Sequence, residues 1–157
     1  MSIFTTGGIL RNTLQPAFLA YLASNDLNVT GNGAAYTLGT NTALTEVFDQ
    51  NSDFNTNGTF TAPLTGRYPL FTTTKITGCT IATTFNLGFT TSNRSYQYLY
   101  TRTASSSDQT PALSIFADMD AADTATAVIT ISGEAGNTDD LVGAANAQTM
   151  IAGYMAL

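Results

Sequence analysis

Three groups of residues in this 157-residue chain have types and spacings that could do chemistry. The first is acidic. Asp118, Asp120 and Asp123 fall within one turn, and Asp139-Asp140 within another. Clustered carboxylate oxygens are what a hard cation such as calcium takes, so Asp118, Asp120 and Asp123 are the candidate calcium ligands. They lack the glycine and distal glutamate of an EF-hand loop, and in a chain of net charge −6 such a turn is ordinarily solvated. A glycosidase pair would need two carboxylates facing each other across a cleft, which the sequence does not specify. The second group is aromatic. Tyr96, Tyr98 and Tyr100 alternate with other residues and are flanked by Arg94 and Arg102. Such a row would offer ring faces and polar tips to a sugar or a protein; the competing reading is a repeating face buried in the core or at a subunit seam. The third is Cys79, the only cysteine, which cannot form an intramolecular disulfide and reads as a buried small hydrophobe. The chain has no histidine. That removes Cys–His and Ser–His–Asp catalysis and most zinc sets. The expectation is a protein that is not an enzyme and has no cofactor, calcium excepted.

Composition narrows the setting of these residues. Hydrophobic residues make up 43% of the chain, which is globular, while charged ones make up only 10%. Neutral polar groups must clothe the surface, and 29 threonines lead them. Threonine is β-branched and favours strands, so an all-β fold is expected. The cations Arg11, Arg67, Lys75, Arg94 and Arg102 are scattered and form no track for phosphates, so nucleic acid is not an expected partner. Anionic membrane surfaces are disfavoured for the same reason. No apolar stretch approaches the ~20 residues of a membrane span. The short apolar patch from Phe18 to Leu22 lacks the Lys/Arg head of a secretory signal. The chain is therefore expected either to be made in a cytoplasm and released by lysis, or to have lost a signal before this numbering. The sequons at Asn28, Asn57 and Asn93 would matter only in a eukaryotic secretory host.

The elements that must position the candidates are short strands. Residues 1–15 have no clean period and contain Gly7-Gly8; they read as an arm outside the core, with the domain at 16–157. Pro16 to Leu22, Ala35 to Leu38 and Thr45 to Phe48 read as strands. Arg67 to Thr77 reads as one long strand with Tyr68, Leu70, Thr72, Thr74 and Ile76 on one face. Pro69 should place the start of that strand at a sheet edge or bulge. Next come a strand with Ile81, Thr83, Phe85, Leu87 and Phe89 on one face, then Ser95 to Thr103, then a Ser-rich loop from Ala104 to Gln109. Ala112 to Phe116 and Thr124 to Ser132 flank the acidic turn, and Ala125, Ala127, Ile129 and Ile131 keep a clear period of two. Residues 133–147 read as loop, and Gln148 to Leu157 as the closing strand. About ten short strands with regular turns suggest a sandwich or jelly roll.

The most specific stretch runs from Phe48 to Tyr68: F-D-x-x-x-x-F-N-x-x-G-T-F-T-A-P-x-x-G-x-Y. Asn57-Gly58 supplies a tight turn, Thr59-Phe60-Thr61 alternates as a half-buried strand, and Pro63 ends it. This string resembles the signature of the globular head of the first complement component, subcomponent q, and its tumour-necrosis-factor-like relatives, domains that many phage fibres and spikes carry. Ala17-Phe18-Leu19-Ala20-Tyr21 looks like the family's first strand, Asp118 to Ser132 like its L-x-x-G-D-x-V-x-V strand pair, and Ile151-Ala-Gly153-Tyr-Met155 like its closing F-x-G-x-L. Ala122 stands where the family has glycine, Ile151 for Phe, Met155 for Leu, and Pro69 interrupts the usual Y-x-F strand.

The resemblance implies a ten-strand jelly roll that assembles as a homotrimer, with Phe18, Tyr21, Phe60, Tyr68, Ile151, Gly153 and Met155 in the trimer interface or core. Equal numbers of aromatic and charged residues, 16 each, fit a chain that buries apolar surface between copies. The expected function is a virion structural protein of a bacterial virus, a head fibre, spike, decoration protein or tail-associated knob. It would sit on the virion surface, attach to a host glycan or protein or decorate the capsid, and be held to a neighbouring virion protein through Ile3, Phe4, Ile9 and Leu10 of the arm. The alternative is a secreted, extracellular trimer, lectin-like or signalling; no Gly-X-Y repeat of the collagen kind accompanies the domain here. Some relatives bind calcium at the trimer apex, which is where the acidic turn would count.

Overall fold

The computed structural model describes residues 4–6, 9–11, 15–102 and 107–156. The fold is an all-β jelly-roll sandwich, with no helix among the described residues. One sheet contains β3 (Ala17–Tyr21), β6 (Thr45–Asp49), β9 (Gly66–Thr73), β13 (Ala112–Met119) and β16 (Met150–Tyr154), in the order β13-β9-β16-β3-β6. Facing it are β7 (Phe54–Asn55), β8 (Thr59–Thr61), β11 (Thr84–Thr91), β12 (Ser95–Thr101) and β14 (Thr124–Ser132), in the order β12-β11-β14-β8-β7, with β5 (Ala35–Thr37) also on β14. A small third sheet joins β10 (Ile76–Thr77), β15 (Asp139–Leu141) and β4 (Asp26–Thr30). Near the N-terminus, β1 (Phe4–Thr6) and β2 (Ile9–Arg11) pair only with each other.

Alternation builds the core, because successive side chains on a strand point to opposite faces. Phe85, Leu87 and Phe89 pair across the sheet with Ile131, Ile129 and Ala127, and all six are buried. From the opposite sheet, Phe18, Ala20, Tyr68, Leu70 and Ile151 close on them. The aromatics of the Phe48–Tyr68 stretch tie the layers together. Phe18 stacks on Phe54 at 4.6 Å and on Phe60 at 4.9 Å, and Phe60 meets Tyr68 at 5.4 Å. The turn between them requires glycine. Gly58 has φ of 88°, and a Cβ there would lie 1.8 Å from the carbonyl oxygen of Leu38. Ala122, standing at the family's glycine position, holds φ of 74°, a region costly for a residue with a Cβ.

Several strand readings need correction. The long strand ends at Thr73, and Ile76–Thr77 leave it for the third sheet. Pro69 lies in an interior strand, not at an edge. Its missing N–H falls where the ladder between β9 and β16 stops, at Gly153↔Leu70, before a single bridge at Arg67↔Ala156. Ile81 is 61% exposed and precedes β11, because the loop before that strand is organised by polar contacts. The carboxylate of Glu134 accepts from the backbone N–H groups of Ile81 and Ala82 at 2.8 and 2.9 Å. β13 runs on to Met119, which shortens the acidic turn. The stretches at 26–30 and 133–147 each yield a strand that the sequence reading omitted, β4 and β15.

Candidate functional site

Inward residues of the five-stranded sheet make the core, so their neighbours make an outer face. Across that face Phe71, Ala152, Leu19 and Phe48 stand in one row, each opposite the next in register. Phe71 stacks on Tyr154 at 6.2 Å, and a groove of about 400 Å³ runs between these side chains. Phe116, 59% exposed, sits opposite Pro69 on the same face. Charge appears at the border, where Arg67 pairs with Asp118.

A second feature lies at the open edge of the sandwich, where β12 and β13 are the last strands of their sheets. Tyr96, Tyr98 and Tyr100 stand opposite Phe89, Leu87 and Phe85, so they share the inward side of an edge strand. Tyr100 stacks on Phe85 at 5.0 Å, and burial pushes its hydroxyl up to about 12. Tyr98 is half exposed, its ring 5.7 Å from that of Tyr100. The two border a cleft of about 350 Å³ closed by Gln109, Thr110, Pro111 and Ala112. Of the five residues proposed as a ligand platform, these two tyrosines come together. Arg102 turns away, donating to the carbonyls of Cys79 and Ala82 at 2.5 and 3.0 Å with its guanidinium 5.4 Å over Phe85. Arg94 is exposed at a turn, and Tyr96 is half-buried at the far end of the row.

The other candidates fall as follows. Phe18, Phe60, Tyr68, Ile151 and Gly153 are buried in the sandwich, while Tyr21 and Met155 are half-buried. The space at Gly153 is taken from inside: a Cβ there would meet Leu70 Cδ2 at 2.6 Å and Phe18 Cε1 at 2.9 Å. This glycine therefore serves core packing. Asp118 is engaged by Arg67, and the Asp123 carboxylate accepts from the Asp120 N–H and from Asn93 at 2.7 and 2.6 Å. Among the described residues no three of His, Cys, Asp and Glu are grouped to hold a metal ion. Ile3 lies outside the described residues, as do the side chains of Phe4, Ile9 and Leu10.

The sequence reading missed a buried polar cluster behind the third sheet. Asp139 is fully buried, and neither of its oxygens has a hydrogen-bond partner. Burial, then the nearby charges of Glu134 and Asp140, raises it to about 6 against the opposing pull of Arg102. Asp26, also buried, accepts from the Tyr36 hydroxyl, whose pKa is raised by burial and by that carboxylate. The Cys79 thiol is buried and pushed up to about 12, first by burial and next by Asp139, which leaves it protonated and unreactive at neutral pH. A three-residue strand carrying Asp-Asp-Leu has too little alternation to announce a buried carboxyl.

No family model and no curated protein matches the sequence. Solved structures do match in shape. The globular domain of zebrafish complement 1qA superposes with a TM-score of 0.57 at 13% identity, over 91% of this chain and 98% of that one. Murine APRIL gives 0.58 at 10%, over 90% and 99%. The vertex protein P5 of PRD1 gives 0.60 at 9%, over 99% and 81%. This chain has the jelly-roll fold that these complement-like, tumour-necrosis-factor-like and virion proteins share.

Proposed function

We propose that the chain is a non-enzymatic virion structural protein of a bacterial virus, working as a homotrimer on the particle surface in host attachment or capsid decoration. The observation that carries this reading is an apolar face on one side of the sandwich together with a tyrosine-lined cleft at its edge. The Phe71–Tyr154 face exposes apolar side chains that a contact would remove from water, and the Tyr98–Pro111 cleft offers half-exposed aromatic and polar groups to cover it. They are different patches, so the edge of one copy can sit on the face of the next, and such a head-to-tail contact forms a ring where its rotation closes. The ring size of three comes from the family resemblance, and the likeness to a vertex protein supports the virion setting.

Phe71→Asp puts a charge at the centre of that contact on a side chain already 39% exposed, so the sandwich itself should tolerate it. Light scattering should give three times 16.5 kDa for the parent and 16.5 kDa for the variant. A parent chain that is monomeric at micromolar concentration would refute the assembly.

The arm is the proposed attachment segment. A two-stranded hairpin is marginally stable alone in water, and β1–β2 pairs with no strand of the sandwich. A neighbouring virion protein would take up Ile3, Phe4, Ile9 and Leu10. Deleting residues 1–12 should leave a trimer of nearly unchanged melting temperature that no longer enters particles. Incorporation of the truncated chain would place attachment elsewhere. The second reading, a secreted lectin-like or signalling trimer, is favoured by the likeness to complement 1qA and APRIL, and detection of the protein outside particles only would select it.

A further inference from the structure

The outer face of the sheet built on β11, β12 and β14 follows from the alternation of those strands. Because Phe85, Leu87 and Phe89 point inward, Thr84, Asn86, Gly88 and Thr90 point outward. The register sets Asn86 beside Thr130 and Leu99, Gly88 beside Val128 and Gln97, and Thr90 beside Thr126 and Ser95. No outward position of these three strands carries a charge, in a chain of net charge −6. Hydroxyl and amide groups recur at the spacing of the sheet, about 4.8 Å between strands and about 6.8 Å along them. Such a face neither repels nor attracts an ion. It offers donors and acceptors in the density that a polyhydroxylated ligand carries.

One point on this face is sunk and incompletely paired. Gly88 leaves a notch of about 30 Å³ walled by Asn86, Thr90, Gln97, Val128 and Thr130. A Cβ at Gly88 would meet the Tyr96 carbonyl oxygen at 2.8 Å and Gln97 Cγ at 3.4 Å, so a side chain there would crowd this wall. At the notch, Asn86 Oδ1 is shielded from solvent and has no hydrogen-bond partner. The Asn86 side chain lines the notch, and a turn of its amide brings this unpaired oxygen to a donor from outside. Val128 adds an apolar wall suited to a methyl group. The volume holds about two water-sized groups, enough for the tip of an acetamido or hydroxymethyl substituent.

We propose that this notch and the neutral face around it bind an uncharged saccharide of the host surface, with Asn86 Oδ1 accepting from an amide N–H or hydroxyl of the sugar. The proposal deepens the attachment reading, on which it rests for the source of the ligand. It leaves the face and the cleft free for assembly, since the notch lies on the opposite sheet from the Phe71 face and on the other side of β12 from the tyrosine row.

The test uses the full chain, isotope-labelled, titrated with a trisaccharide of N-acetylglucosamine, with mannotriose, and with an acidic sialyl trisaccharide. A neutral probe should bind with a dissociation constant on the order of 1 mM or tighter, as a single shallow site permits. Its shifts should centre on Asn86, Gly88, Gln97 and Thr130, and the acidic probe should bind about tenfold more weakly or not at all. Asn86→Ala should lose about tenfold in affinity with unchanged molecular mass. Gln97→Ala, at an exposed position, tests the same wall should Asn86→Ala fail to fold. Absence of binding by both neutral probes, shifts centred on the Tyr98 cleft, or full affinity in the Asn86 variant (in Gln97→Ala, if that one alone folds) would each overturn the proposal. Particle incorporation is scored on the same samples. A chain that enters particles but binds neither neutral sugar loses this inference alone. One that binds sugar through Asn86 but never enters particles loses the virion reading alone.

Discussion

Gly153→Val is expected to lower the melting temperature by on the order of 10 °C, whatever it does to assembly. The glycine lies in β16, the middle strand of the five-stranded sheet, and faces inward. A Cβ would already sit 2.6 Å from Leu70 and 2.9 Å from Phe18. Neither neighbour can give way cheaply. Leu70 is fully buried, and Phe18 is clamped by its stacks on Phe54 and Phe60. Overpacking of this kind costs about 3 kcal/mol, and the two further methyls of valine push it to the upper end. Gly153→Ala should show a smaller loss of the same sign. A valine variant that melts like the parent but sediments as a monomer would move Gly153 from the core to a subunit contact.

Asp139→Asn is expected to do the opposite, raising stability at neutral pH by about 3 kcal/mol, on the order of 6–10 °C in melting temperature. The Asp139 carboxyl is held at about 6 in the fold against 3.8 for an ordinary one. Between those values the folded chain binds a proton that the unfolded chain has lost, so stability falls as pH rises through the window. Above about pH 6 the contribution has gone, and the charge sits buried without a donor. Glu134 and Asp140 oppose ionisation, Arg102 favours it, and the buried Cys79 thiol beside them stays neutral. The asparagine variant should therefore show a flatter profile between pH 4 and 7, measured by denaturant unfolding at each pH. Parallel profiles for parent and variant would mean that Asp139 is paired in solution.

How much of this was legible depended on strand length and on what each strand faces. β14 alternates over nine residues between a filled core and solvent, and its period of two was plain in the sequence. The Phe48–Tyr68 stretch was legible for another reason: its aromatics have to reach Phe18 across the sandwich, and only that spacing lets them. β4 and β15 were missed because buried polar residues, Asp26, Thr30 and Asp139, replace the apolar half of the alternation. Ile81 misled because a run of alternating residues continued past the point where Glu134 captures the backbone. The tyrosine row was placed on one face correctly, but which of its members would stay open depended on residues 109–112 lying beside it, a juxtaposition of two sheets that no local pattern encodes. The notch at Asn86 was invisible for the same reason: it needs Gly88, Gln97 and Thr130 side by side, from three strands.

One pairing governs how this protein can be made. β3, the first strand of the sandwich, lies between β6 and β16, with Ala20 opposite Ile151. The centre of the sheet is thus completed by the last strand of the domain. Until β16 is in place, β3 and β9 each lack a neighbour, and the inward faces of Phe18 and Leu70 have nothing between them. This domain cannot fold progressively from its start; closure waits for β16, and its rate is then limited by bringing distant segments together. A chain cut short before Met150 would expose two strand edges at once, each a template for pairing with another chain.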